Sequence, residues 1–522
     1  MEPEMREFLE RGLVSAARMR AVEGNAITLG LGSLPMMESA GRALAALVLE
    51  SSPSRVLVLC GRGKNGGDGM VAARYLQHLE AEVIYASDGP FAPETEVQLR
   101  ALAGSSVSIH PVRCASDVDV LSPLFTRADV IVDALLGTGA SGTLREPVSR
   151  CVDLANAASA PVISADVPTP GMRATKILSF HRPKVEGAGV ADIGIPIAAE
   201  VFLGPGDLTL VPRRGPKAHK GENGEVLVVG GGPYQGAPYL AGLGALRAGA
   251  DLVRIASPVF EPVPDLIYER LEGERIAPDH LDRILALVER ADAVVVGNGL
   301  GTGSHDVVLA IAGAAEKAVF DADALRTPLP VSKEAVYTPH AGEFKRMTGG
   351  LPPEELAARG RAVRDAARNG FGRKPASPIF STTGHSDERP VLGRKQASPD
   401  LSTAGHPGEC PVILLKGPVD VISDGDRVRF NPTGAPAMAV AGTGDVLAGV
   451  VGALLCRLPA FEAACIAAYV NGSAGMLASQ RRGDGMTASD LVEEVPAVLF
   501  AGGRVHKNPT WSDEVARGAE NG

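Results

Sequence analysis

A glycine-rich turn in the first half of the chain combines residue types that suit the binding of a phosphate. Residues 61–69 read G-R-G-K-N-G-G-D-G, after the apolar run 55–60 and before a helical stretch at 69–79. Glycines let the backbone approach a phosphate closely, and the amides at a helix N-terminus attract its negative charge. The spacing matches neither a dinucleotide-binding G-x-G-x-x-G nor a Walker loop with its Lys-Ser/Thr. A tight turn in which Asp68 caps the helix explains the pattern equally well.

Polar residues follow two further apolar runs in the same half. Asp133 closes one run and Asp166 closes the next, with Thr169 three residues further on. If the runs are parallel strands, their carboxyl ends meet at the edge of the sheet where ligands bind. Asn65, Asp133 and Thr169 offer hard oxygen donors that suit a monovalent or other hard cation. Asp166 is left as a candidate acid or base. Taken singly, each carboxylate is better explained as a cap of the helix that follows it.

The second half contains its own glycine-rich candidate. Residues 434–449 include A-V-A-G-T-G-D-V-L-A-G, so that small residues lead into a helix N-terminus that suits a transferring phosphoryl group. Asp445 stands where it could deprotonate an attacking hydroxyl, and Lys416 ends an upstream apolar run where a cation would lie near nucleotide phosphates. Glu343 adds an acidic group and His340 a pH-sensitive one. The plainer alternative for His340 is a loop histidine with ordinary hydrogen-bond partners.

The elements that must position these groups alternate between strand-like and helical stretches. This alternation, with continuous Val/Ile/Leu runs, predicts parallel sheets covered on both faces, an α/β fold. The strand-like runs are residues 55–60, 82–86, 129–133 and 161–166 in the first half, and 225–229, 292–296, 319–321 and 412–416 in the second.

The segments between and after these elements predict the domain organisation. A polar stretch with two prolines, residues 211–221, indicates a linker. Residues 369–410 are rich in Pro, Ser, Gly and Thr without periodicity, which predicts a mobile insertion. We therefore expect domains at 1–212 and 213–503, and a tail at 504–522.

Composition limits the class of protein. The 522 residues, 45% of them hydrophobic, are enough for more than one buried core. A net charge of −10, only 4% aromatic residues and no large basic cluster argue against a nucleic-acid partner. Six widely spaced cysteines without C-x-x-C predict a reducing compartment and no zinc. No signal peptide is found, and the weakly charged stretches 430–456 and 463–480 are too interrupted for membrane spans. We therefore expect a cytoplasmic protein without a membrane partner.

Several first-half motifs together resemble the NAD(P)H-hydrate epimerase domain over residues 15–212. They are G-R-G-K-N-G-G-D-G, D-A-L-L-G-T-G, D-V-P-T, A-D-I-G-I-P, M-R-A-V-E-G-N-A and M-M-E-S-A-G. The resemblance implies a Rossmann-like three-layer domain in which Asn65, Asp133 and Thr169 bind potassium and Asp166 is catalytic. It also implies that the hydrated nicotinamide contacts Lys64, Asn65, Gly66, Gly67, Asp68, Gly137, Thr138, Gly139, Ala140, Ser141, Gly142, Thr143 and Asp166.

Two departures from the epimerase pattern bear on activity. Lys64 stands where the family usually has Asn, and Thr169-Pro170 replaces the usual Ser-Gly. Thr169 keeps the hydroxyl that the ion site requires. The departures leave open the alternative that the first domain is a non-catalytic binding module.

Motifs of the second half resemble the ADP-dependent NAD(P)H-hydrate dehydratase, which has a ribokinase-like α/β fold. They are K-G-E-N-G-E-V-L-V-V-G-G, G-A-P-Y-L-A, A-D-A-V-V-V-G-N-G-L-G, D-A-D-A-L, T-P-H-A-G-E-F, V-I-L-L-K-G, N-P-T-G and A-G-T-G-D. Asn298 replaces the usual Pro in the G-x-G-L-G turn. The resemblance implies that the hydrate contacts Ala237, Gly301, His340 and Asp445. It implies that the nucleotide contacts Lys416, Gly417, Pro418, Val419, Asp420 and Gly444.

Together the two resemblances imply one chain that repairs hydrated NADH and NADPH. The first domain would interconvert the R and S hydrates, and the second would dehydrate the S hydrate to NAD(P)H, AMP and phosphate. Asp445 would be the base, with Mg²⁺ bridging the phosphates of ADP or ATP, a choice that the sequence leaves open. We expect a homo-oligomer. The alternative is a ribokinase-like vitamin-precursor kinase with a non-catalytic N-terminal module.

Overall fold

The computed structural model describes residues 2–139, 142–369 and 410–500. These residues form two compact units. Among the described residues, the N-terminal unit comprises residues 10–199, and the C-terminal unit comprises residues 2–9, 200–369 and 410–500.

The N-terminal unit is built on a seven-stranded sheet in which every neighbouring pair is parallel. Its strands are β1 (Arg55–Cys60), β2 (Glu80–Ala86), β3 (Ser108–Val112), β4 (Val130–Ala134), β5 (Val162–Ala165), β6 (Lys176–Phe180) and β7 (Gly189–Ala191). Its helices are α2 (Ala16–Thr28), α3 (Ser33–Leu49), α4 (Lys64–Tyr75), α5 (Pro93–Leu102), α6 (Ala115–Val120), α7 (Ser122–Arg127) and α8 (Val148–Ala157). The short α1 (Glu2–Met5) belongs to the C-terminal unit, and the boundary between the units falls within α9 (Ile197–Val201).

Both faces of this sheet are covered by helices. Val56 and Val58 of β1 belong to an apolar cluster with α2, α3 and α4, whereas Leu57 and Leu59 belong to another with α6, α7 and α8. Because successive side chains of a strand point to opposite faces, the two clusters lie on opposite sides of the sheet. The predicted three-layer arrangement is confirmed.

The strand order indicates where a ligand could bind in this sheet. The order is β3-β2-β1-β4-β5-β6-β7, so the direction of chain progression reverses between β1 and β4. In open parallel sheets, ligands bind outside the carboxyl ends of the strands at such a reversal. The glycine-rich turn follows β1, and Asp133 is the penultimate residue of β4.

The C-terminal unit has a nine-stranded sheet in the order β10-β9-β8-β11-β12-β13-β14-β15-β16, parallel except for the pairings of β15. Its strands are β8 (Glu225–Val229), β9 (Leu252–Ser257), β10 (Ile267–Arg270), β11 (Ala293–Val296), β12 (Lys317–Phe320), β13 (Glu334–Tyr337), β14 (Val412–Leu415), β15 (Asp420–Ser423) and β16 (Val428–Asn431). Its helices are α10 (Ala237–Arg247), α11 (Leu281–Val288), α12 (His305–Ala314), α13 (Ala341–Thr348), α14 (Leu356–Asn369), α15 (Thr443–Leu455), α16 (Ala460–Arg482) and α17 (Ala488–Phe500).

Helices cover both faces of this second sheet as well. Val294 and Val296 of β11 pack in an apolar cluster with residues of α11 and α12. Val295 faces the other side, where a Cβ added to Gly452 of α15 would lie 2.6 Å from its Cγ2. The α/β class predicted for both halves is confirmed.

The domain boundary in the structure differs from the predicted one at 212. Residues 200–212 belong to the C-terminal unit, because Asp207 forms a buried salt bridge with Arg429 and Phe202 packs against Phe430. The polar composition that predicted a boundary at 212 reflects the exposed residues that follow this buried segment. The predicted insertion and tail fall almost entirely on residues 370–409 and 501–522, which lie outside the described residues.

Some element boundaries also differ. The helix expected at 69–79 begins at Lys64, so the glycine run forms the first turns of α4. Among the described residues, no helix combines the length and apolarity needed to cross a membrane.

Candidate active sites

The glycine-rich turn between β1 and α4 is closely packed. A Cβ on Gly61 would lie 1.7 Å from the carbonyl oxygen of Leu135, and one on Gly66 would lie 1.9 Å from that of Gly61. Only glycine fits at these two positions. The helix cap is Gly63 rather than Asp68, so the capping alternative for Asp68 is wrong.

Asp133 is fully buried and receives hydrogen bonds from several groups. Its Oδ2 accepts from Ser164 Oγ at 2.8 Å and from Thr169 N at 2.9 Å, and its Oδ1 accepts from Thr169 Oγ1 at 2.7 Å. Burial raises the pKa of Asp133, and the bonds from Thr169 and Ser164 oppose that shift. The predicted pair of Asp133 and Thr169 is therefore in direct contact.

Asn65 joins this pair through the loop after β4. Its Nδ2 donates to Leu136 O at 3.1 Å, and Leu136 N donates to Thr169 Oγ1 at 3.1 Å. The Oδ1 of Asn65 is buried without a hydrogen-bond partner among the described residues. The structure thus brings Asn65, Asp133 and Thr169 together, with one buried oxygen free to accept.

The loop that follows β4 carries the other predicted substrate contacts. A Cβ on Gly137 would lie 3.3 Å from that of Asn65, so this end of the loop adjoins the oxygen cluster. The neighbouring Thr138 is half-buried. The more exposed contacts are Gly139, Gly142 and Thr143. Ala140 and Ser141 lie outside the described residues.

Asp166 lies at the end of β5 in a left-handed conformation, φ 65°, that is uncommon for a residue with a side chain. Its Oδ1 accepts a hydrogen bond from Lys184 Nζ, which also donates to Phe180 O at 2.9 Å. Such backbone strain is often found at functional sites. The ion pair holds the Asp166 carboxylate just after the carboxyl end of β5.

Two further carboxyl groups lie in the electrostatic surroundings of Asp166. Burial, reinforced by the charges of Asp166 and Glu23, raises the pKa of Asp68 well above its usual value. Burial likewise raises the pKa of Glu23, and the positive charges of Lys64 and Lys184 oppose that shift. Lys64 Nζ lies 3.9 Å from Glu23 Oε2. The N-terminal unit thus gathers three carboxyls and two lysines, of which Glu23 and Lys184 were not predicted as site residues.

In the C-terminal unit, four loops meet at the carboxyl ends of β8, β11, β12 and β14. The loop after β8 packs on the loop after β11, because a Cβ on Gly299 would lie 3.2 Å from that of Ala237 and one on Gly301 would lie 2.9 Å from Pro233 Cγ. Gly301 N donates to Asp323 Oδ2 at 2.8 Å. The predicted contacts Ala237 and Gly301 therefore belong to two segments that pack against one another.

A buried chain of polar groups connects three of these loops to α15. Lys416 Nζ donates to Asp321 Oδ1 at 2.8 Å, and Asn298 Nδ2 donates to Asp321 Oδ2 at 3.2 Å and to Asp445 Oδ1 at 2.7 Å. Thr338 Oγ1 also donates to Asp321 Oδ1, at 2.7 Å. The predicted residues Lys416 and Asp445 are thus linked through Asp321 and Asn298, which were not predicted as site residues.

Burial, the charge of Asp321 and, more weakly, that of Glu343 raise the pKa of Asp445 to about 7. Burial lowers the pKa of Lys416. The charges of the Asp321 and Glu343 carboxylates outweigh that effect, so the Lys416 pKa is raised above its usual value. A carboxyl group with a pKa near neutrality suits a general base, because it is ionised yet basic at working pH.

Helix α15 begins within the glycine-rich segment, as the sequence predicts. Gly442 caps the helix with φ 97°, a conformation that favours glycine. A Cβ on Gly444 would lie 3.3 Å from Lys416 Nζ, so the ammonium adjoins the first helical turn. Helix amides and a cation next to one another suit the phosphates of a nucleotide.

The predicted nucleotide segment 416–420 forms a tight turn between β14 and β15. Asp420 Oδ1 accepts from Gly417 N at 3.0 Å and its Oδ2 accepts from Asn431 Nδ2 at 2.9 Å. Burial raises the pKa of Asp420 to about 6. Pro418 and Val419 complete the turn, with Pro418 exposed. Asp420 therefore shapes the turn, and Gly417 is exposed.

The side chain of His340 caps α13 and is also exposed. Its Nδ1 accepts from Gly342 N at 3.0 Å, and Glu343 Oε2 accepts from His340 N at 2.8 Å, which closes a reciprocal cap on α13. The side chain is 59% exposed. Its Nε2 lies 3.3 Å from Glu343 Oε1, so both ring nitrogens face the first turn of α13 and the rest of the ring is exposed.

The sequence contained partial signs of the missed residues. Asp321 ends an apolar run as Asp133 does, so the same rule finds it. Asn298 is a polar residue inside a glycine turn. Glu23 and Lys184 lie outside the recognisable turns, and only the tertiary structure brings them to Asp166.

Two α/β units in one chain, each a largely parallel sheet covered by helices on both faces, define the class of this protein. A family described as YjeF-related protein N-terminus matches residues 33–184. A second, described as NAD(P)H-hydrate dehydratase, matches residues 226–369 and 409–497.

Similar proteins carry both parts in one chain. The bifunctional NAD(P)H-hydrate repair enzyme of Methanospirillum hungatei is 48% identical over 495 residues, 95% of each chain. That of Pyrobaculum aerophilum is 38% identical over 531 residues, 93% of this chain and 98% of the relative. A solved structure, the ADP/ATP-dependent NAD(P)H-hydrate dehydratase of Bacillus subtilis co-crystallized with ATP/Mg²⁺, is 27% identical, covers 57% of this chain and 97% of its own, and has a TM-score of 0.44.

The chain belongs to the family of bifunctional NAD(P)H-hydrate repair enzymes, with an epimerase domain followed by a dehydratase domain. The resemblance expected from the motifs is confirmed. The relatives do not support the alternative of a vitamin-precursor kinase with a non-catalytic N-terminal module.

Proposed function

We propose that this chain restores hydrated NADH and NADPH by two reactions, one in each unit. The C-terminal unit uses a nucleotide to dehydrate the S hydrate, and the N-terminal unit interconverts the R and S hydrates. The observation that carries the proposal is the placement of Asp445 in the first turn of α15, joined through Asn298 and Asp321 to Lys416.

In the dehydration, Asp445 takes the proton of the C6 hydroxyl of the S hydrate. The hydroxyl oxygen then attacks the terminal phosphoryl group of the nucleotide, and AMP leaves when ADP is the donor. The amides around Gly442 and Gly444 and the ammonium of Lys416 stabilise the charge that develops on the phosphoryl oxygens. Loss of the C5 proton and of phosphate restores the dihydronicotinamide.

The same edge of the sheet orients the two substrates. Ala237, Gly301 and the exposed side chain of His340 would contact the hydrate. The turn formed by Lys416, Gly417, Pro418, Val419 and Asp420, together with Gly444, would contact the nucleotide. With this division, the C6 hydroxyl and the terminal phosphate would meet next to Asp445.

Magnesium would enter with the nucleotide. No group of three His, Cys, Asp or Glu side chains in the described ranges could hold a metal ion by itself. This fits an ion that takes most of its ligands from phosphate and water, as Mg²⁺ does in phosphoryl transfer. Bound there, it would neutralise phosphate charge.

In the epimerisation, the C6 hydroxyl leaves as water and a water molecule returns on the opposite face of the ring. A carboxyl with a raised pKa, such as Asp68, holds its proton at higher pH and can protonate the leaving hydroxyl. The Asp166 carboxylate, paired with Lys184, can take the proton of the returning water. Lys64 and the loop from Gly137 to Thr143 would hold the hydrate.

Potassium fits the oxygen cluster of the same unit. Asn65, Asp133 and Thr169 offer only oxygen donors, and Asn65 Oδ1 is buried with no described partner. A hard monovalent cation satisfies such an atom. The ion would supply a fixed positive charge that attracts the phosphates or oxygens of the substrate.

The proposal is tested by the recovery of dihydronicotinamide absorbance from a mixture of R and S hydrates with magnesium and either ADP or ATP. We expect full recovery, and the nucleotide that supports it identifies the physiological donor. Recovery that stops at the S fraction would contradict the epimerase activity. Absence of recovery with either nucleotide would contradict the dehydratase activity. A cytoplasmic location and a homo-oligomeric state remain predictions.

A further inference from the structure

Asn298 occupies the centre of the buried chain of polar groups in the C-terminal unit. Its side chain is fully buried, and its one Nδ2 group donates to both carboxylates, at 2.7 Å to Asp445 and 3.2 Å to Asp321. An amide nitrogen has two hydrogens, so each carboxylate receives one. Asn298 therefore clamps the carboxylate on α15 to the one that follows β12.

The backbone that carries this amide is held in place. Gly231 N donates to Asn298 O at 2.8 Å. Gly297 and Gly299 on either side have φ of 125° and 74°, and a Cβ on Gly297 would lie 1.8 Å from Asp321 O. A side chain mounted on such a constrained loop keeps its position relative to both carboxylates.

The orientation of the amide leaves one of its own atoms unpaired. Asn298 Oδ1 is buried without a hydrogen-bond partner among the described residues. Buried polar atoms are rarely left unpaired, and those that are often belong to functional sites. The double donation to carboxylates is thus kept although it leaves this oxygen unpaired.

The Asp445 carboxylate is held through one oxygen only. Asn298 binds its Oδ1, and within the described part of the chain no hydrogen bond reaches its Oδ2. Anchoring one oxygen fixes the direction of the other, and the free oxygen can accept a proton from a substrate hydroxyl.

We propose that Asn298 is a positioning residue for dehydration, which holds Asp445 Oδ1 so that Oδ2 faces the C6 hydroxyl of the hydrate. This inference rests on the proposed function of the C-terminal unit. It concerns a residue outside the predicted substrate and nucleotide contacts, and it assigns Asn298 to the base rather than to a ligand.

The charged groups that face Asp445 determine how the loss of Asn298 changes the pH dependence of dehydration. They are Asp321 after β12, Glu343 on α13 and Lys416 after β14. The two carboxylates disfavour ionisation of Asp445, whereas Lys416 and the Asn298 hydrogen bond favour it. Without Asn298, the ionised base loses a donor and stays next to Asp321.

The experiment compares Asn298→Ala with wild type in the dehydration of purified S hydrate over a range of pH. We expect kcat to fall about 10-fold or more on the alkaline plateau, since a hydrogen bond to a charged group is lost. The acidic limb of the kcat profile should move up by about one pH unit. The KM for the nucleotide should change little. Asn298→Ser, which creates a smaller void but cannot reach both carboxylates, should show the same shift.

Asn223→Ala is the matched control. Asn223 is a buried amide of the same unit whose Nδ2 donates to Asp251 at 3.3 Å, and it has no place in the site. It should leave the acidic limb where it is in wild type. The inference is overturned if the acidic limb of the kcat profile does not move in Asn298→Ala and Asn298→Ser. The loss of activity must in that case be explained by a smaller fraction of folded protein.

Failure of the proposed function is recognised separately. In that case wild type itself restores no absorbance from the S hydrate with either nucleotide. If wild type is active and Asp445→Asn is inactive while Asn298→Ala keeps a normal rate and pH profile, only the role of Asn298 is overturned.

Discussion

At the scale of single residues, the hydrogen-bond partners of a carboxylate separate its chemical roles. Asp133 accepts from Ser164 and twice from Thr169, so both of its oxygens are committed. Asp445 accepts only from Asn298 in the described chain, and one of its oxygens stays open. The first arrangement suits an ion site held in a fixed shape, and the second suits a group that exchanges a proton.

Asp445→Asn should abolish dehydration while leaving the fold intact. In wild type the pKa of Asp445 is raised to about 7, so we expect kcat to fall as the pH drops below about 7. A carboxyl whose pKa is raised on folding makes the native state less stable as the pH rises through the folded pKa. An Asn side chain does not ionise, so the variant does not lose stability in this way. Its Tm at pH 8 should equal or exceed that of wild type. Near-normal turnover of the variant would show that Asp445 is not the base.

Asn65→Ala should remove the response of the N-terminal unit to potassium. A ligand at about ten times its Kd stabilises the native state by about 1.4 kcal/mol, which raises Tm by about 3–6 °C in a unit of this size. Wild type should therefore melt at higher temperature in KCl than in choline chloride. The variant should melt alike in both salts.

Asn25→Ala provides the control for the potassium experiment. Asn25 is a fully buried amide in the same unit whose Nδ2 donates to Ala199 O at 3.1 Å. It should melt at lower temperature than wild type but keep the difference between the two salts. Equal melting of wild type in both salts would contradict the potassium site.

At the scale of elements, α15 is positioned by unusually close packing on α10. A Cβ on Gly449 would lie 1.8 Å from Ala241 O, and one on Gly244 would lie 2.6 Å from Val446 O. Small residues on both helices thus let the backbones approach. The close contact between the two backbones fixes the position of α15, and therefore the position of Asp445 and of the helix N-terminus relative to Lys416.

Gly449→Ala should destabilise the C-terminal unit by about 3 kcal/mol or more, because the added methyl group must separate two backbones. Gly313→Ala is the matched control, since it also lies in a helix and a Cβ there would meet nothing within 4 Å. Removal of a glycine at that position should stabilise by up to about 1 kcal/mol. Urea unfolding measures both. Equal stability of the two variants would show that α10 and α15 are not held at this distance.

At the scale of the whole molecule, each unit has its own parallel sheet and its own set of reactive groups. Asp166 belongs to the unit with the seven-stranded sheet, and Asp445 belongs to the unit with the nine-stranded sheet. The division into an epimerase and a dehydratase therefore predicts that the two activities are lost independently.

Asp166→Asn should slow the interconversion of R and S hydrates by about 100-fold, the scale of general acid–base catalysis, and leave dehydration of pure S hydrate unchanged. Asp445→Asn should show the reverse. Chromatographic separation of the two epimers over time measures the first activity, and absorbance measures the second. If Asp166→Asn impairs dehydration of pure S hydrate, the two reactions are not divided between the units.

Local sequence determined the strands, the glycine-rich turns and much of the candidate site. Asp133, Asp166 and Lys416 were predictable because strands are continuous apolar runs and the polar residue at the carboxyl end is visible in the sequence. Asp445 was predictable because the glycines before it prepare a helix N-terminus. These features depend on neighbours in the chain.

Only the tertiary structure decided which groups act on one another. Asn298 reaches Asp445 across 147 residues, and Lys184 reaches Asp166 across 18. The order of strands in a sheet, and hence which loops meet, is set by long-range packing of both faces rather than by local periodicity. The same packing assigned residues 200–212 to the C-terminal unit, since the buried pair of Asp207 and Arg429 has no counterpart in the composition of a linker.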